Sequence, residues 1–181
     1  NLKEIELYAR TRTSVAHCPK SNLKLASGIA DTDTYMKAGI NVSIGTDGTA
    51  SNNTLDMVEE MRFAALLPKG SLHNPEAVNA RTALRMATIN GAKALGIHHL
   101  TGSLEVGKRA DLIVIHADAS NMLPIYDVYS AIVYASNSKN IRSSMVNGKW
   151  IMRNRELMNI NKTETMESMK HIVNSQIDNR K

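Results

Sequence analysis

The stretch that decides the fold is Asn41-Val-Ser-Ile-Gly-Thr-Asp-Gly48. Apolar side chains alternate with small or polar ones along residues 41–46, and this period predicts a β-strand. Val42 and Ile44 then point to one face, while Asp47 belongs to the other, less apolar face. The pattern therefore predicts a carboxylate at the carboxyl end of a strand.

A second strand is predicted upstream, over Ser14 to Cys18, where Pro19 stops it. Between the two strands, Asp31 to Ala38 is predicted to be a helix with Asp31 or Thr32 as its cap, and Gly39 follows its end. Strand, helix and strand in this order form a βαβ unit. Such a unit implies parallel strands joined by a right-handed crossover.

A longer helix is expected after the second strand. The spacing of apolar residues predicts it over Thr54 to Leu67, with Asn52 or Asn53 as its cap and Pro68 and Gly70 at its end. Its acidic residues fall in the first half, as the helix dipole favours.

Two further signals follow in this α-helical half. Asn74-Pro-Glu76 is typical of a helix start with proline at the first helical position. Val78 to Leu95 is then predicted to be helical, broken at Gly91 and ended by Gly96.

From residue 101 onward the pattern changes to short β-segments. Ala110 to His116 is rich in β-forming residues, and Ile141 to Val146 leads into Asn147-Gly148, the strongest short hairpin signal. Lys149 to Arg153 is predicted as the returning strand. Asn161 to Ile177 follows as an amphipathic helix. Its apolar face comprises Met166, Met169, Val173 and Ile177.

The composition is that of a soluble globular protein, with 181 residues of which 43% are hydrophobic and 22% charged. The net charge of +5 is spread along the chain, and only seven aromatic residues are available to stack on bases, so no nucleic-acid partner is expected. No apolar run approaches the roughly 20 residues that cross a bilayer. We therefore expect no membrane partner.

A single cysteine, Cys18, cannot form an internal disulfide, and the first residues do not resemble a signal peptide. These features favour the cytoplasm. The chain begins with Asn1 rather than methionine, so we expect it to be the processed or cut remainder of a longer protein.

Familiar catalytic motifs are missing from the sequence. The six histidines form neither an HxH nor an HExxH pair, and the nucleophile-elbow and phosphate-loop signatures are absent. Asp47 remains, flanked by glycines, and it can ligate a divalent metal, act as a general base or cap the next helix. His17 lies at the equivalent end of the preceding strand, where it is either a functional residue or an ordinary histidine in a turn.

Several of these segments resemble a known family. His17-Cys-Pro-Lys-Ser-Asn-Leu-Lys-Leu-Ala-Ser-Gly28 and Gly45-Thr-Asp-Gly-Thr-Ala-Ser-Asn-Asn-Thr-Leu-Asp-Met-Val-Glu-Glu-Met-Arg62 are similar to the last two barrel units of the amidohydrolase superfamily. Ala87-Thr-Ile-Asn-Gly-Ala-Lys-Ala-Leu-Gly96 and Gly102-Ser-Leu-Glu-Val-Gly-Lys-Arg-Ala-Asp-Leu-Ile-Val-Ile115 agree with this resemblance. Within the superfamily the chain looks most similar to the deaminases of 5-methylthioadenosine and S-adenosylhomocysteine and their chlorohydrolase relatives.

The resemblance implies an α/β fold. Residues 1–100 would form the last two strands and following helices of a (β/α)8 TIM barrel, and residues 101–160 part of a small β-sandwich. Residues 161–181 would form a C-terminal amphipathic helix. The family's metal, usually zinc, is held by several histidines and one Asp, and only the Asp has a counterpart here, Asp47.

By this resemblance Asp47 is the catalytic, metal-binding and substrate-binding residue. It would take a proton from metal-activated water and pass it to the departing ammonia. Asn22 and the loop from Thr49 to Asn53 would face a purine-type substrate, and no catalytic role is assigned to His17.

A whole barrel of this class takes about 250 residues and eight strands. We therefore expect a metal-dependent aminohydrolase whose portion in this chain is inactive alone, and whose parent forms a homo-oligomer. The alternatives are another amidohydrolase, such as a guanine or cytosine deaminase or a triazine chlorohydrolase, and a non-catalytic assembly module. In the module, the helix near Met166 would mediate dimerisation.

Overall fold

The computed structural model describes residues 2–178, which form a mixed α/β structure with two separate sheets. The strands are β1 Val15–His17, β2 Val42–Ile44, β3 Leu112–Ile115, β4 Ile141–Val146, β5 Lys149–Arg153 and β6 Glu156–Leu157. The α-helices are α1 Leu2–Thr11, α2 Pro19–Lys24, α3 Thr32–Lys37, α4 Thr49–Asn52, α5 Met57–Leu72, α6 Ala80–Met86, α7 Ile89–Ala94, α8 Val128–Ser130 and α9 Lys162–Asp178.

The first sheet confirms the predicted βαβ unit. β1 and β2 pair in parallel, with α3 in the connection between them. Asp31 caps α3 by accepting a hydrogen bond from the backbone N–H of Thr34 at 3.0 Å, and Gly39 follows the helix with a φ of +82°. The capping residue and the glycine were both predicted because these signals are local in sequence.

The main core lies between this parallel pair and the helices that follow it. Val42 is fully buried, and Met86 of α6 has no exposed surface. The buried apolar members are Ile40, Val42, Ile44, Met61, Ala64, Ala65, Val78, Ala80, Ala83, Met86 and Val133. Full burial of one large apolar side chain contributes about 1.5–3 kcal/mol, so this layer fixes the sheet against α5 and α6.

The long helix α5 differs from its prediction at both ends. It begins at Met57, because the carboxylate of Asp56 caps it by accepting from the N–H groups of Val58 and Glu59 at 2.9 and 3.3 Å. It also continues past Pro68, which was expected to end it. Pro68 is fully buried on the inward face of α5, so tertiary packing outweighs the hydrogen bond that a proline lacks.

The next helices also differ from the prediction. Asn74 begins a turn and not a helix, and α6 starts only after Asn79, whose side chain accepts from the N–H of Thr82 at 2.9 Å. The break before α7 falls at residues 87–88, whereas Gly91 lies inside α7. This position lets Asn90 of α7 donate to the carbonyl of Val42 at 2.9 Å, so α7 covers the free edge of β2.

The second sheet is antiparallel, in the order β3-β4-β5-β6. The predicted hairpin is confirmed with both strands in place, β4 and β5, and with Asn147 and Gly148 both at positive φ. The two-residue strand β6 was not predicted.

Other elements were also missed by sequence reasoning. These are the α-helices α1, α2, α4 and α8, a π-helix over Ala131–Ala135 and a 3-10 helix over Ser138–Asn140. The C-terminal helix α9 is confirmed, but its apolar residues are about half exposed, from 49% at Val173 to 61% at Met169. Within residues 2–178, no helix combines the length and the apolar character needed to cross a membrane.

Candidate functional site

Asp47 lies three residues beyond the end of β2, at an exposed position. Its φ is +60°, a left-handed conformation that few non-glycine residues adopt. The strand alternation therefore does not extend to Asp47, and its direction is set by the turn. The prediction of a carboxylate beyond the carboxyl end of the strand is nevertheless confirmed.

Two hydroxyl groups hold the same oxygen of this carboxylate. The Oγ of Ser21, on α2, donates to Asp47 Oδ2 at 2.7 Å, and the Oγ of Ser51, on α4, donates to the same atom at 2.8 Å. Neither hydroxyl donates a hydrogen bond to Oδ1. The capping alternative is wrong, because the residue at the N-cap of α4 is Gly48.

These hydrogen bonds determine the charge state of Asp47. The hydroxyl of Ser21, then that of Ser51, and then a backbone hydrogen bond from Gly48 lower the pKa of Asp47 below its usual value of 3.8. Hydrogen bonds to the charged form of a carboxyl group favour that form. Asp47 is therefore ionised at neutral pH and available to accept a proton or to bind a cation.

His17 and Cys18 behave differently from Asp47. His17, at the end of β1, is only 3% exposed, and burial lowers its pKa from 6.5 to about 4. Its imidazole makes no hydrogen bond within the described part of the chain. Cys18 packs against Gly45, and burial, followed by the charges of Asp47 and Glu60, raises the pKa of its thiol.

The expected substrate contacts lie in the same region of the structure. Asn22 is half-buried on α2, directly after Ser21, and its side-chain amide makes no hydrogen bond to residues 2–178. The expected pocket loop from Thr49 to Asn53 is mostly the short helix α4. A role of Asn22 in binding stays a prediction.

Sequence reasoning missed a buried polar centre beneath the site. Glu60 of α5 has no exposed surface. Its Oε2 accepts from the backbone N–H of Lys20 at 3.2 Å, and its Oε1 accepts from Nδ2 of Asn52. Asn52 also donates to the carbonyl of Thr46 at 2.7 Å and accepts from the N–H of Leu55 at 2.9 Å. The only sequence signal was a pair of adjacent glutamates in the first turn of α5, one of which belongs to the buried face.

Metal ligands are too sparse among the described residues to form a metal centre. Within residues 2–178, no three or more His, Cys, Asp or Glu side chains are grouped so that they could hold a metal ion. A zinc site takes at least three protein ligands. Asp47 therefore fits a metal as one ligand at most, and these residues do not form a metal centre by themselves.

Comparisons with known proteins agree on one family. Residues 2–151 match the model of the amidohydrolase family. The chain is 48% identical over 162 residues to 5-methylthioadenosine/S-adenosylhomocysteine deaminase of Moorella thermoacetica, covering 90% of this chain and 38% of that protein. It is 45% identical over 164 residues to 5'-deoxyadenosine deaminase of Methanosarcina acetivorans, covering 91% of this chain and 38% of that protein.

A solved structure is similar as well. The crystal structure of an adenosine deaminase from Xanthomonas campestris with bound zinc superposes with a TM-score of 0.92 at 40% identity, covering 94% of this chain and 39% of that chain. This chain thus spans 38% of the length of both curated relatives. The motifs around His17 and Asp47, the parallel strand pair and these matches together show that the chain belongs to the amidohydrolase family.

Proposed function

We propose that this chain is the part of an adenosine-type deaminase that carries the catalytic Asp47. The observation that carries the proposal is an ionised carboxylate, held on one oxygen by Ser21 and Ser51, at the carboxyl end of a parallel strand. That edge of an α/β sheet is where ligands bind in such folds. The similarity to the Moorella deaminase supports 5-methylthioadenosine and S-adenosylhomocysteine as substrates.

The architecture proposed for the complete enzyme follows from the same similarity. Residues 1–100 would supply the last two units of a (β/α)8 barrel, residues 101–160 part of a β-sandwich, and residues 161–181 a terminal helix. The match to the Xanthomonas structure supports this arrangement. The chain taken alone would be inactive, because the described residues provide one candidate ligand and no closed barrel.

Hydrolytic deamination needs a group that moves a proton. Water adds to the purine carbon that bears the amine, the carbon–nitrogen bond breaks, and ammonia leaves. Asp47 would accept the proton that the water loses and return it to the leaving nitrogen. The two hydroxyls that donate to Oδ2 hold the carboxylate in one orientation for this transfer.

A divalent metal, zinc in the Xanthomonas relative, is the cofactor that we propose for the complete enzyme. Asp47 would supply one ligand, and the other ligands would come from outside the described residues. When bound, such a metal lowers the pKa of water toward 7.

The test compares Asp47→Asn with Asp118→Asn in the complete enzyme that carries this chain. Asp118 is exposed and distant in sequence from the site, which makes it a matched control. Ammonia release from 5-methylthioadenosine and S-adenosylhomocysteine is expected to fall about 10²- to 10⁴-fold for Asp47→Asn only. Retained activity in Asp47→Asn, or robust turnover by residues 1–181 alone, would contradict the proposal.

A second candidate substrate is 5'-deoxyadenosine, because the Methanosarcina relative is nearly as similar. The two candidates share the amine that leaves and differ at the 5' position of the sugar. The two candidate activities are separated by measuring kcat/KM for 5-methylthioadenosine, S-adenosylhomocysteine and 5'-deoxyadenosine. Guanine and atrazine are included to test the other amidohydrolase alternatives. Preference for guanine or atrazine would favour those alternatives.

A further inference from the structure

The hydrogen bonds around Asp47 form a closed ring that passes through two short helices. Ser21 of α2 and Ser51 of α4 both hold Asp47 Oδ2. The residues next to them in sequence, Lys20 and Asn52, both donate to Glu60. Each helix is therefore attached to Asp47 through one residue and to Glu60 through its neighbour.

Glu60 is the buried member of this ring. It has no exposed surface, and it accepts one hydrogen bond on each carboxylate oxygen, from the N–H of Lys20 and from Nδ2 of Asn52. Hydrogen bonds to a buried carboxylate are stronger than those between neutral groups at the surface. Because Glu60 belongs to the 16-residue helix α5, whose inner face packs in the core, it is fixed independently of the site.

Other links between α2 and the segment around α4 lie nearer the solvent. The ammonium of Lys20 contacts Thr54 Oγ1 at 2.6 Å and pairs with Glu59, whose side chain is 38% exposed. The ammonium of Lys24 contacts the carbonyl of Ala50 at 2.7 Å. The Lys20–Glu59 pair is only partly buried, with the Lys20 side chain 16% exposed, whereas Glu60 has no exposed surface, so the Glu60 bonds are the ones we expect to set the geometry.

We propose that Glu60 is a positioning residue for Asp47, because its two oxygens join the two helices whose hydroxyl groups hold the Asp47 carboxylate. This inference rests on the proposed function, in which Asp47 contacts the reacting water. Glu60 touches neither water nor substrate in this assignment, and it acts only through α2 and α4.

The first test is Glu60→Gln in the complete enzyme, with Glu59→Gln as the matched control. A glutamine has only one acceptor oxygen, so its NH2 group faces a donor, either the Lys20 N–H or the Asn52 side-chain NH2. One of the two hydrogen bonds is therefore lost. We expect kcat to fall about tenfold or more with KM within about threefold, because a small displacement of a catalytic group slows the chemical step. Glu59→Gln is expected to change kcat by less than about threefold.

A second readout does not depend on the reaction. Amide hydrogen exchange of Lys20 and Leu55 is expected to become about tenfold faster or more in Glu60→Gln, since both N–H groups belong to this ring or its Asn52 branch. Exchange at Ala64 and Ala65, in the buried part of α5, is expected to stay unchanged, which separates local loosening from general destabilisation.

The outcomes are distinct. A kcat within about threefold of the parent enzyme, or unchanged exchange at Lys20 and Leu55, would overturn the inference. If the complete enzyme deaminates none of the nucleosides, the proposed function fails, and the exchange experiment alone decides whether Glu60 joins the two helices. If Glu60→Gln does not fold, Asn52→Ser removes the hydrogen bond between α4 and Glu60 by changing its donor instead. We again expect kcat to fall while KM changes little.

Discussion

Substitution of His17 gives a direct measure of what its burial costs. The side chain is 3% exposed, lies at the end of β1 and makes no hydrogen bond through its ring within residues 2–178. Burial lowers its pKa from 6.5 to about 4. The folded state therefore holds a neutral imidazole at pH values where the unfolded chain binds a proton.

The sign and size of the effect follow from proton linkage. As pH falls below 6.5, the unfolded state binds a proton at His17 that the folded state takes up only near pH 4, so the free energy of unfolding decreases over this window. Each pH unit between the two pKa values costs about 1.4 kcal/mol, which gives about 3 kcal/mol by pH 4. Above pH 7 the contribution of His17 is constant.

The assay is urea unfolding followed by circular dichroism at pH 7, 6, 5 and 4. His17→Leu replaces the imidazole with an apolar side chain of similar volume, so no group titrates at this position. The stability of this variant relative to the parent chain is therefore expected to rise by about 3 kcal/mol from pH 7 to pH 4. His171→Gln, at an exposed position of α9, is the control and should follow the parent. If the difference between His17→Leu and the parent stays constant across this range, the argument from burial is refuted.

Two other substitutions test the site and the packing. Ser21→Ala removes the hydrogen bond that contributes most to the lowered pKa of Asp47 and is expected to raise that pKa toward its usual value. A carboxyl NMR titration measures this, and an unchanged midpoint would contradict it. Gly102→Ala is expected to destabilise the chain by about 1–3 kcal/mol more than Gly107→Ala. Both glycines have φ near +90°, but only at Gly102 would a Cβ lie 2.7 Å from the Cβ of Ala92, so equal unfolding free energies for the two variants would argue against a steric cause.

Much of the fold was predictable because its signals are local. Asn147-Gly148 specifies a hairpin through the positive φ of two adjacent residues, and Asp31 specifies a helix start through an N–H three positions away. Proline is also a local signal, yet Pro68 was misleading. Its ring is buried on the inner face of α5, and packing with distant residues decides whether a helix continues through it.

By itself the sequence determined the parallel strand pair, the hairpin and the placement of Asp47 beyond a strand end, since each depends on side-chain period or turn chemistry within a few residues. Only the tertiary structure decided how Asp47 is held. Ser21 is 26 positions from Asp47, and Glu60 is 40 positions from Lys20, so no local pattern indicates that they meet. Hydroxyl and carboxylate groups acquire these roles only when packing of α2, α4 and α5 brings them within hydrogen-bond distance and removes water around Glu60.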